Sequence, residues 1–287
     1  MEKSHIEIEG LKIRKMRRDE AEFVIQMEAG EGWIPGIHDG EIFYETDPDG
    51  FFIAEVEGEP VGCVSAVAYD DYYGFLGLYV VKPEFRNKGV GVKLTEKCLE
   101  RMGNRNIGLD AVVENEKKYQ NFMNFKSFYS NLRFEGRGGG EVPDGLVNVS
   151  DVPFESLLEY DREMFPAPRA TFLENWIKQP DSYAFAAVET GKLKGYGVIR
   201  KCQIGYKIGP LFADDPITAE KIFLALKASI PYEAVYVIDV PEPNKKALEI
   251  TRKYGMNVVF TTIRMYSQGE PGINLEKVYG STTLELG

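Results

Sequence analysis

The stretch VVKPEFRNKGVG, residues 80–91, sets an arginine, an asparagine, a lysine and two glycines between an apolar run and a helix. The run before it, GFLGLYVVK (74–82), is apolar over a strand's length, as in a strand buried on both faces. After it, Leu94, Cys98 and Met102 fall four apart with Leu99 beside them. Lys93, Glu96, Lys97, Glu100 and Arg101 cover the other face, so residues 92–102 read as an amphipathic helix. Strand, glycine-bearing loop and helix in succession hold anions. First-turn amides lack intrahelical partners, the helix dipole adds positive charge, and glycine lets the backbone approach a phosphate closely. Arg86 and Lys88 add side-chain charge. The expected ligand carries a phosphate or pyrophosphate. The spacing is neither G-x-x-x-x-G-K-[ST] nor G-x-G-x-x-G, so this is not a P-loop or a dinucleotide fingerprint.

Outward from the loop, FFIAEVEGEPVGCVSAVAY (51–69) reads as a hairpin turning at Gly58. A strand (11–16), a helical stretch (18–30) and a loop, GEGWIPGIHDGE (30–41), precede it. A strand (106–113), a short helix (114–123) and a strand (125–136) follow the amphipathic helix. RGGGEVPDG (137–145) is the best boundary, dividing the chain into domains 1–140 and 146–287. The second half replays the order: a helix (170–179), a hairpin (182–200), a strand (207–213), a helix (216–229), a strand (234–240), a helix (244–255) and a strand (256–267). SNLRFEG (130–136) and TTIRMYSQG (261–269) share a pattern around Arg133 and Arg264. The tail, INLEKVYGSTTLELG (273–287), reads as an extra strand without an assigned partner. The fold expected is two copies of one α/β unit.

The chain is 287 residues long, which suits two domains, and 44% hydrophobic, which leaves ample area for a core. A net charge of −11 argues against a general nucleic-acid binder and gives weak support to a cationic small partner. No apolar run is long enough to cross a bilayer. Residues 1–10 lack a basic-then-apolar leader, so no membrane role and a cytoplasmic location are expected. Cys63, Cys98 and Cys202 are too few and too scattered for a disulfide framework or a zinc site. Buried free thiols and no metal are expected.

The pattern V-x-P-x-x-R-x-x-G-x-G, made by Val81, Pro83, Arg86, Gly89 and Gly91, resembles motif A of the GNAT acyltransferases. The whole chain resembles the tandem GNAT proteins whose second half is a YitH-type acetyltransferase domain. Residues 32–39, 49–67, 165–173 and 195–215 carry that likeness beside the loop. It implies two GNAT folds, each a mixed, mainly antiparallel sheet flanked by helices, and acetyl-CoA as co-substrate. The acyl-CoA would lie where strands 77–81 and 108–113 splay apart. Backbone groups of Tyr79, Val80 and Val81 would hold the pantetheine and polarise the thioester carbonyl. Arg86, Asn87, Lys88, Gly89, Val90, Gly91 and Val92 would hold the pyrophosphate, and Asn115 is assigned to the same site.

The leaving thiolate needs a proton, which the family commonly takes from a tyrosine. Tyr119 and Tyr129 compete. Aligning Arg133 with Arg264 leaves Tyr119 on the short helix, and Tyr119 is preferred, although KYQNFMNF lacks the glycine usual in the family ending. An attacking amine must lose a proton, since its unperturbed pKa is about 10. Glu28, Glu31, Asp39, Asp71, Glu114 and His38 are candidate bases, with Glu28 and His38 carried forward. Trp33, His38, Asp39 and Asp239 are expected at the acceptor pocket. Asp181, Tyr183, Lys207 and Asn244 are further polar residues within reach of it.

Where the first half has its basic loop, the second has Asp214, Asp215 and Pro216. These cap a helix and repel a pyrophosphate. Thr251 falls where an acid tyrosine would be. The second half is therefore expected to cover the acceptor pocket without chemistry of its own. The function expected is acetyl transfer from acetyl-CoA to the amine of a small molecule or amino acid, by direct attack in a ternary complex. The alternative is an acyl-CoA sensor without turnover. A purely structural role would require the loop to be accidental. Either a monomer or a homodimer is compatible with the sequence.

Overall fold

The computed structural model describes residues 8–287. Residues 1–7, on which part of the leader reading rests, lie outside the described residues. The first half runs β1 (Leu11–Lys15), α1 (Ala21–Gly30), α2 (Asp39–Thr46), β2 (Phe51–Val56), β3 (Glu59–Ala68), β4 (Tyr73–Val81), α3 (Val90–Met102), β5 (Asn106–Val112), α4 (Glu116–Met123) and β6 (Lys126–Arg137). The second runs β7 (Val147–Asn148), α5 (Phe154–Asp161), α6 (Ala170–Lys178), β8 (Ser182–Glu189), β9 (Lys192–Lys201), β10 (Tyr206–Ala213), α7 (Pro216–Ala228), β11 (Val235–Pro241), α8 (Lys245–Lys253), β12 (Asn257–Tyr266) and β13 (Val278–Gly280). The β2–β3 hairpin turns on Glu57 and Gly58, both in the left-handed region. The loop read at 30–41 overlaps the start of α2, and the rest of that helix has no assignment in the sequence reading. Gly40 looks like punctuation there, but it serves packing: a side chain at this position would meet Ile25 and the Ala21 carbonyl of α1.

All strands join one sheet, in the order β1-β2-β3-β4-β5-β12-β6-β11-β10-β9-β8-β7, with β13 on β10. The closing strands are exchanged. β12, from the second half, pairs antiparallel with β5 of the first, and β6, from the first, pairs antiparallel with β11 of the second. β6 and β12 also pair with each other at the centre. Each exchange carries a buried ion pair. Arg264 on β12 donates to Asp110 on β5 at 2.7 and 3.1 Å, and Arg133 on β6 donates to Asp239 on β11 at 2.7 and 2.9 Å. The shared arginine pattern of the two closing strands thus marks one contact made twice.

The halves also share a core. Phe43 of α2 stacks on Trp176 of α6, with ring centroids 6.1 Å apart. Phe51, Ile53, Leu78 and Val80 pack in one cluster with Leu157, Tyr196 and Phe212. Two further cores lie between the sheet and α3, and between the sheet and α7 and α8. Cys63, Cys98 and Cys202 are buried and unpaired. Burial pushes the Cys98 thiol up to about 12 and the Cys202 thiol up to about 11, so neither is a reactive thiolate. Among the described residues no helix is long and apolar enough to cross a membrane.

A buried ion pair broken on one side strands a charge. Arg264→Leu should therefore destabilise the chain by about 3–5 kcal/mol, and adding Asp110→Leu should recover most of that. Urea unfolding of the single and double variants measures the difference. Equal loss in both would mean the charges themselves contribute little to the exchange.

Candidate functional site

β4 and β5 pair in parallel from Tyr73↔Asn106 to Leu76↔Leu109, and then part. On its other side β4 bulges against β3: Gly77 pairs with Ser65 and Val80 with Cys63, leaving Leu78 and Tyr79 without ladder partners. Leu78 sits at φ +51°, a conformation that costs a leucine about 1 kcal/mol or more. Past Leu76 the backbone of β4 thus has no ladder partner on β5, and at Leu78 and Tyr79 none on β3 either. Asn87 (φ +61°) and Gly89 (φ +87°) then bend the chain into α3. The first helical bond runs from Lys93 N–H to the Gly89 carbonyl, and no side chain among the described residues caps the helix, so the amides of Val90, Gly91 and Val92 lack helical acceptors. A side chain at Gly91 would collide with the Tyr79 hydroxyl; that glycine is required by packing beneath the turn. Arg86 is steadied by its Nε donating to the Val81 carbonyl at 2.7 Å, while its Nη2 pairs with Glu31 just past α1. Lys88 and Lys93 are solvent-facing. Asn115 stands at the start of α4 and accepts from Lys118.

The equivalent opening in the second half is closed. β10 and β11 pair from Tyr206↔Tyr236 to Ile208↔Ile238 and then part. β13 enters there and pairs with β10 at Leu211 and Phe212, and Ser281 N–H donates to the Asp239 carbonyl. A side chain at Gly209 would collide with Thr282. The start of α7 is capped by Asp215, which accepts from the Ile217 and Thr218 amides at 2.9 Å. Asp214 pairs with Lys194 and Lys277. The tail read as an extra strand is thus the plug of the second opening.

Beyond β13, residues 281–287 are buried and cross to the first half. The Glu285 carbonyl abuts Gly77 of β4 so closely that a side chain there would collide with it, and Tyr69 donates to the Leu286 carbonyl at 2.8 Å. The tail brings Glu285 into a buried group of charges that also holds Glu28, Asp39, Arg200, Lys207, Arg133 and Asp239. Asp39 accepts from Arg200 at 2.7 and 2.8 Å and from the Gly36 amide at 2.8 Å. Burial would raise its pKa, but the Arg200 guanidinium more than offsets this and holds it low; Asp239 is held low beside Arg133 in the same way. Both carboxylates are therefore engaged and weakly basic. Glu28 differs. It is 1% exposed, neither oxygen meets a donor among the described residues, and burial, with the Glu285 carboxylate beside it, pushes it well above the carboxylate range.

The other candidates lie apart from this group. His38 reaches Asp181 of the second half at 3.1 Å, and both are partly exposed. It lines a recess of about 590 Å³ with Arg18, Glu22 and Ile37 that includes neither Glu28 nor the α3 loop. Trp33 packs at the rim of the shared core, and its amide donates to the Glu28 carbonyl. Asp71 is exposed beside Arg105, Glu114 is exposed, and Glu31 holds Arg86. Tyr119 lies among Tyr79, Cys98 and Phe125, where burial pushes its phenol up and keeps it protonated. Tyr129 lies with Arg264 and Tyr266, at the exchanged strand. Arg200 and Glu285 went unnamed in the sequence reading. No local pattern marks them, since their partners are 161 residues away (Asp39) or across the strand exchange.

Glu31 competes with any anion for Arg86. Glu31→Gln should tighten acetyl-CoA binding up to about fivefold, the scale of a half-exposed ion pair of ~1 kcal/mol. Calorimetry compares the two dissociation constants, and unchanged affinity would mean that Arg86 does not leave Glu31 on binding.

Profiles of known families match both halves: the Acetyltransferase (GNAT) family over residues 16–124, and an Acetyltransferase (GNAT) domain over residues 157–280. The chain is 30% identical over 271 residues to a holothin acyltransferase of Pseudoalteromonas sp. (strain SANK 73390), covering 94% of this chain and 92% of that one. A crystal structure of a putative acetyltransferase from Pyrococcus horikoshii superposes with a TM-score of 0.83 at 26% identity, over 100% of this chain and 99% of the other. A tandem GNAT protein from the clavulanic acid biosynthesis pathway shares the fold, with a TM-score of 0.65 at 15% identity over 92% and 99% of the two chains. With the opened strands and uncapped basic loop in one half and their closed counterparts in the other, these likenesses establish that the chain belongs to the GNAT acetyltransferase family, as a tandem member.

Proposed function

We propose that the chain transfers an acetyl group from acetyl-CoA to the amine of a small molecule or amino acid, with one donor site per chain, in the first half. The observation that carries this reading is the asymmetry of the two openings. The β4–β5 opening leads to an uncapped helix with Arg86 and Lys88, whereas the β10–β11 opening is filled by β13 and its helix is capped by an aspartate. On this reading the amides of 90–92 and Arg86 hold the pyrophosphate, and the backbone of β4 at 78–79, outside the ladder with β3, orients the thioester and polarises its carbonyl. The amine attacks that carbonyl directly. Tyr119, kept protonated by burial, gives its proton to the departing thiolate. Glu28 is the preferred base, because a raised carboxyl accepts a proton from an amine more readily than the arginine-bound Asp39 or Asp239. The relative named a holothin acyltransferase, alike over 92% of its length, supports acyl transfer as the reaction.

Titration with acetyl-CoA should give one site per chain, abolished by Arg86→Glu. Two sites would overturn the assignment to the first half, and none would overturn the transferase reading. Tyr119→Phe should bind acetyl-CoA as tightly as the wild type but lower kcat for amine-dependent CoA release by about 10²–10⁴. Binding with no release from any amine would leave a sensor in place of an enzyme.

A further inference from the structure

We infer that the acceptor site is composite, set in the buried seam that the tail covers, in which Glu285 together with Glu28 receives the protonated amine and Lys207 and Arg200 bind an oxygen-bearing group beside it. This rests on the transferase reading above and adds the acceptor's chemistry: a small primary amine with a hydrogen-bond-accepting oxygen nearby.

Three observations support it. The first is the supply of unused polar atoms in one buried place. Among the described residues neither Glu28 oxygen meets a donor, the Glu285 carboxylate being its neighbour, and the Lys207 ammonium and Arg200 Nη1 make no hydrogen bond, though Glu28 and Lys207 are each 1% exposed and Arg200 fully buried. Buried polar groups are almost always satisfied, so acceptors and donors left open side by side point to a ligand that brings both. The second is charge. Four carboxylates (Glu28, Asp39, Asp239 and Glu285) face three cations (Arg133, Arg200 and Lys207), with Cys63 and Cys202 as neutral neighbours. Arg200 is committed to Asp39 and Arg133 to Asp239, and Lys207 lies 3.7 Å from Glu285. Glu28 is left without a cation, and an ammonium supplies the missing one. The third is position. The Glu285 backbone abuts Gly77 and Cys63 donates to the Leu78 carbonyl, so the group lies against the β4 bulge where the thioester is assigned.

The proton count closes. In the free chain the raised Glu28 carboxyl holds a proton, which leaves to solvent when the ammonium binds. Glu28 then takes one proton from the ammonium. The freed amine forms the N–C bond as the C–S bond breaks, and its second proton ends on the thiolate by way of Tyr119. Product leaves with Glu28 protonated again.

The test is thermal stabilisation of the full chain, with saturating CoA, by a panel of the common amino acids, their amides and simple amino alcohols. It is run on wild type, Glu28→Gln, Glu285→Gln and Lys207→Met. At least one amine should raise the wild-type Tm, while its analogue lacking the amine should not. Affinity for that amine should fall at least tenfold in both glutamine variants, while the shift given by CoA alone persists in all, which shows that they fold. A second readout needs no amine. A carboxyl that must stay protonated on folding costs stability increasingly as pH rises above the ordinary carboxylate range. Glu28→Gln should therefore gain Tm over wild type at pH 7 and not at pH 4. An amine shift that survives Glu285→Gln and Glu28→Gln, or no shift from any amine, overturns the composite site and leaves the donor assignment intact. Absence of the CoA shift in wild type overturns the transferase reading instead.

Discussion

Two buried arginine–aspartate pairs, Arg264–Asp110 and Arg133–Asp239, lie where the halves exchange their closing strands, and much of the architecture depends on them. Each pair joins a strand of one half to a strand of the other. Desolvating four charges is expensive, and bidentate geometry recovers much of the cost only while every partner is present. The pairs therefore act as a register device. A one-residue slip of β12 against β5 would turn Arg264 to the opposite face of the sheet and strand Asp110. With both strands locked, the two sheets become one and the halves keep a fixed relation across the shared core around Phe43 and Trp176.

That fixed relation lets one half act on the other. Loop 33–38 of the first half bonds to the end of β9 through Ile37 and Gly36, and to Gln203 through Pro35, so Asp39 at the start of α2 meets Arg200 of β9 at 2.7 Å. The tail then makes two different uses of one segment. Residues 278–282 fill the opening between β10 and β11, and residues 285–287 pack against Gly77 and Phe75 of β4. The plug that closes the second opening is thus continuous with the segment that lines the first.

The basic loop before α3 was legible in the sequence because its pattern is local. Arg86, Asn87, Gly89 and Gly91 lie within six residues, and an uncapped helix start follows from that order alone. The capped start of α7 was equally legible, since Asp215 and Pro216 carry their meaning in adjacent positions. The strand exchange was not. β6 and β12 have the same alternation and the same arginine, so either could close either half, and only the completed sheet distinguishes the pairings. α2 was hidden by Gly40, which a local reading takes for a turn. The grouping of the buried charges was hidden by distance. Arg200 and Glu285 carry no local signal until the fold sets them beside Asp39 and Lys207, whereas Glu28 could be named in advance as a carboxylate on the first helix without any sign that no donor would meet it.

The positions of the unpaired groups also bear on how the two halves divide their work. A half that only covered a pocket would be expected to present apolar or satisfied surface, as α6 does with Phe172 and Trp176. β9 and β10 instead direct Arg200 and Lys207 into the seam, each with hydrogen-bonding capacity unused among the described residues. Leaving such groups buried and open costs stability, about 1–3 kcal/mol for each unsatisfied polar group and more when it is charged. Packing alone does not require it, because an apolar side chain of similar volume would fill the space at lower cost. That cost is consistent with the proposed acceptor site and not with a mere cover. The second half, its own opening filled by β13 and its helix capped by Asp215, meets the first through charged groups left open in the seam.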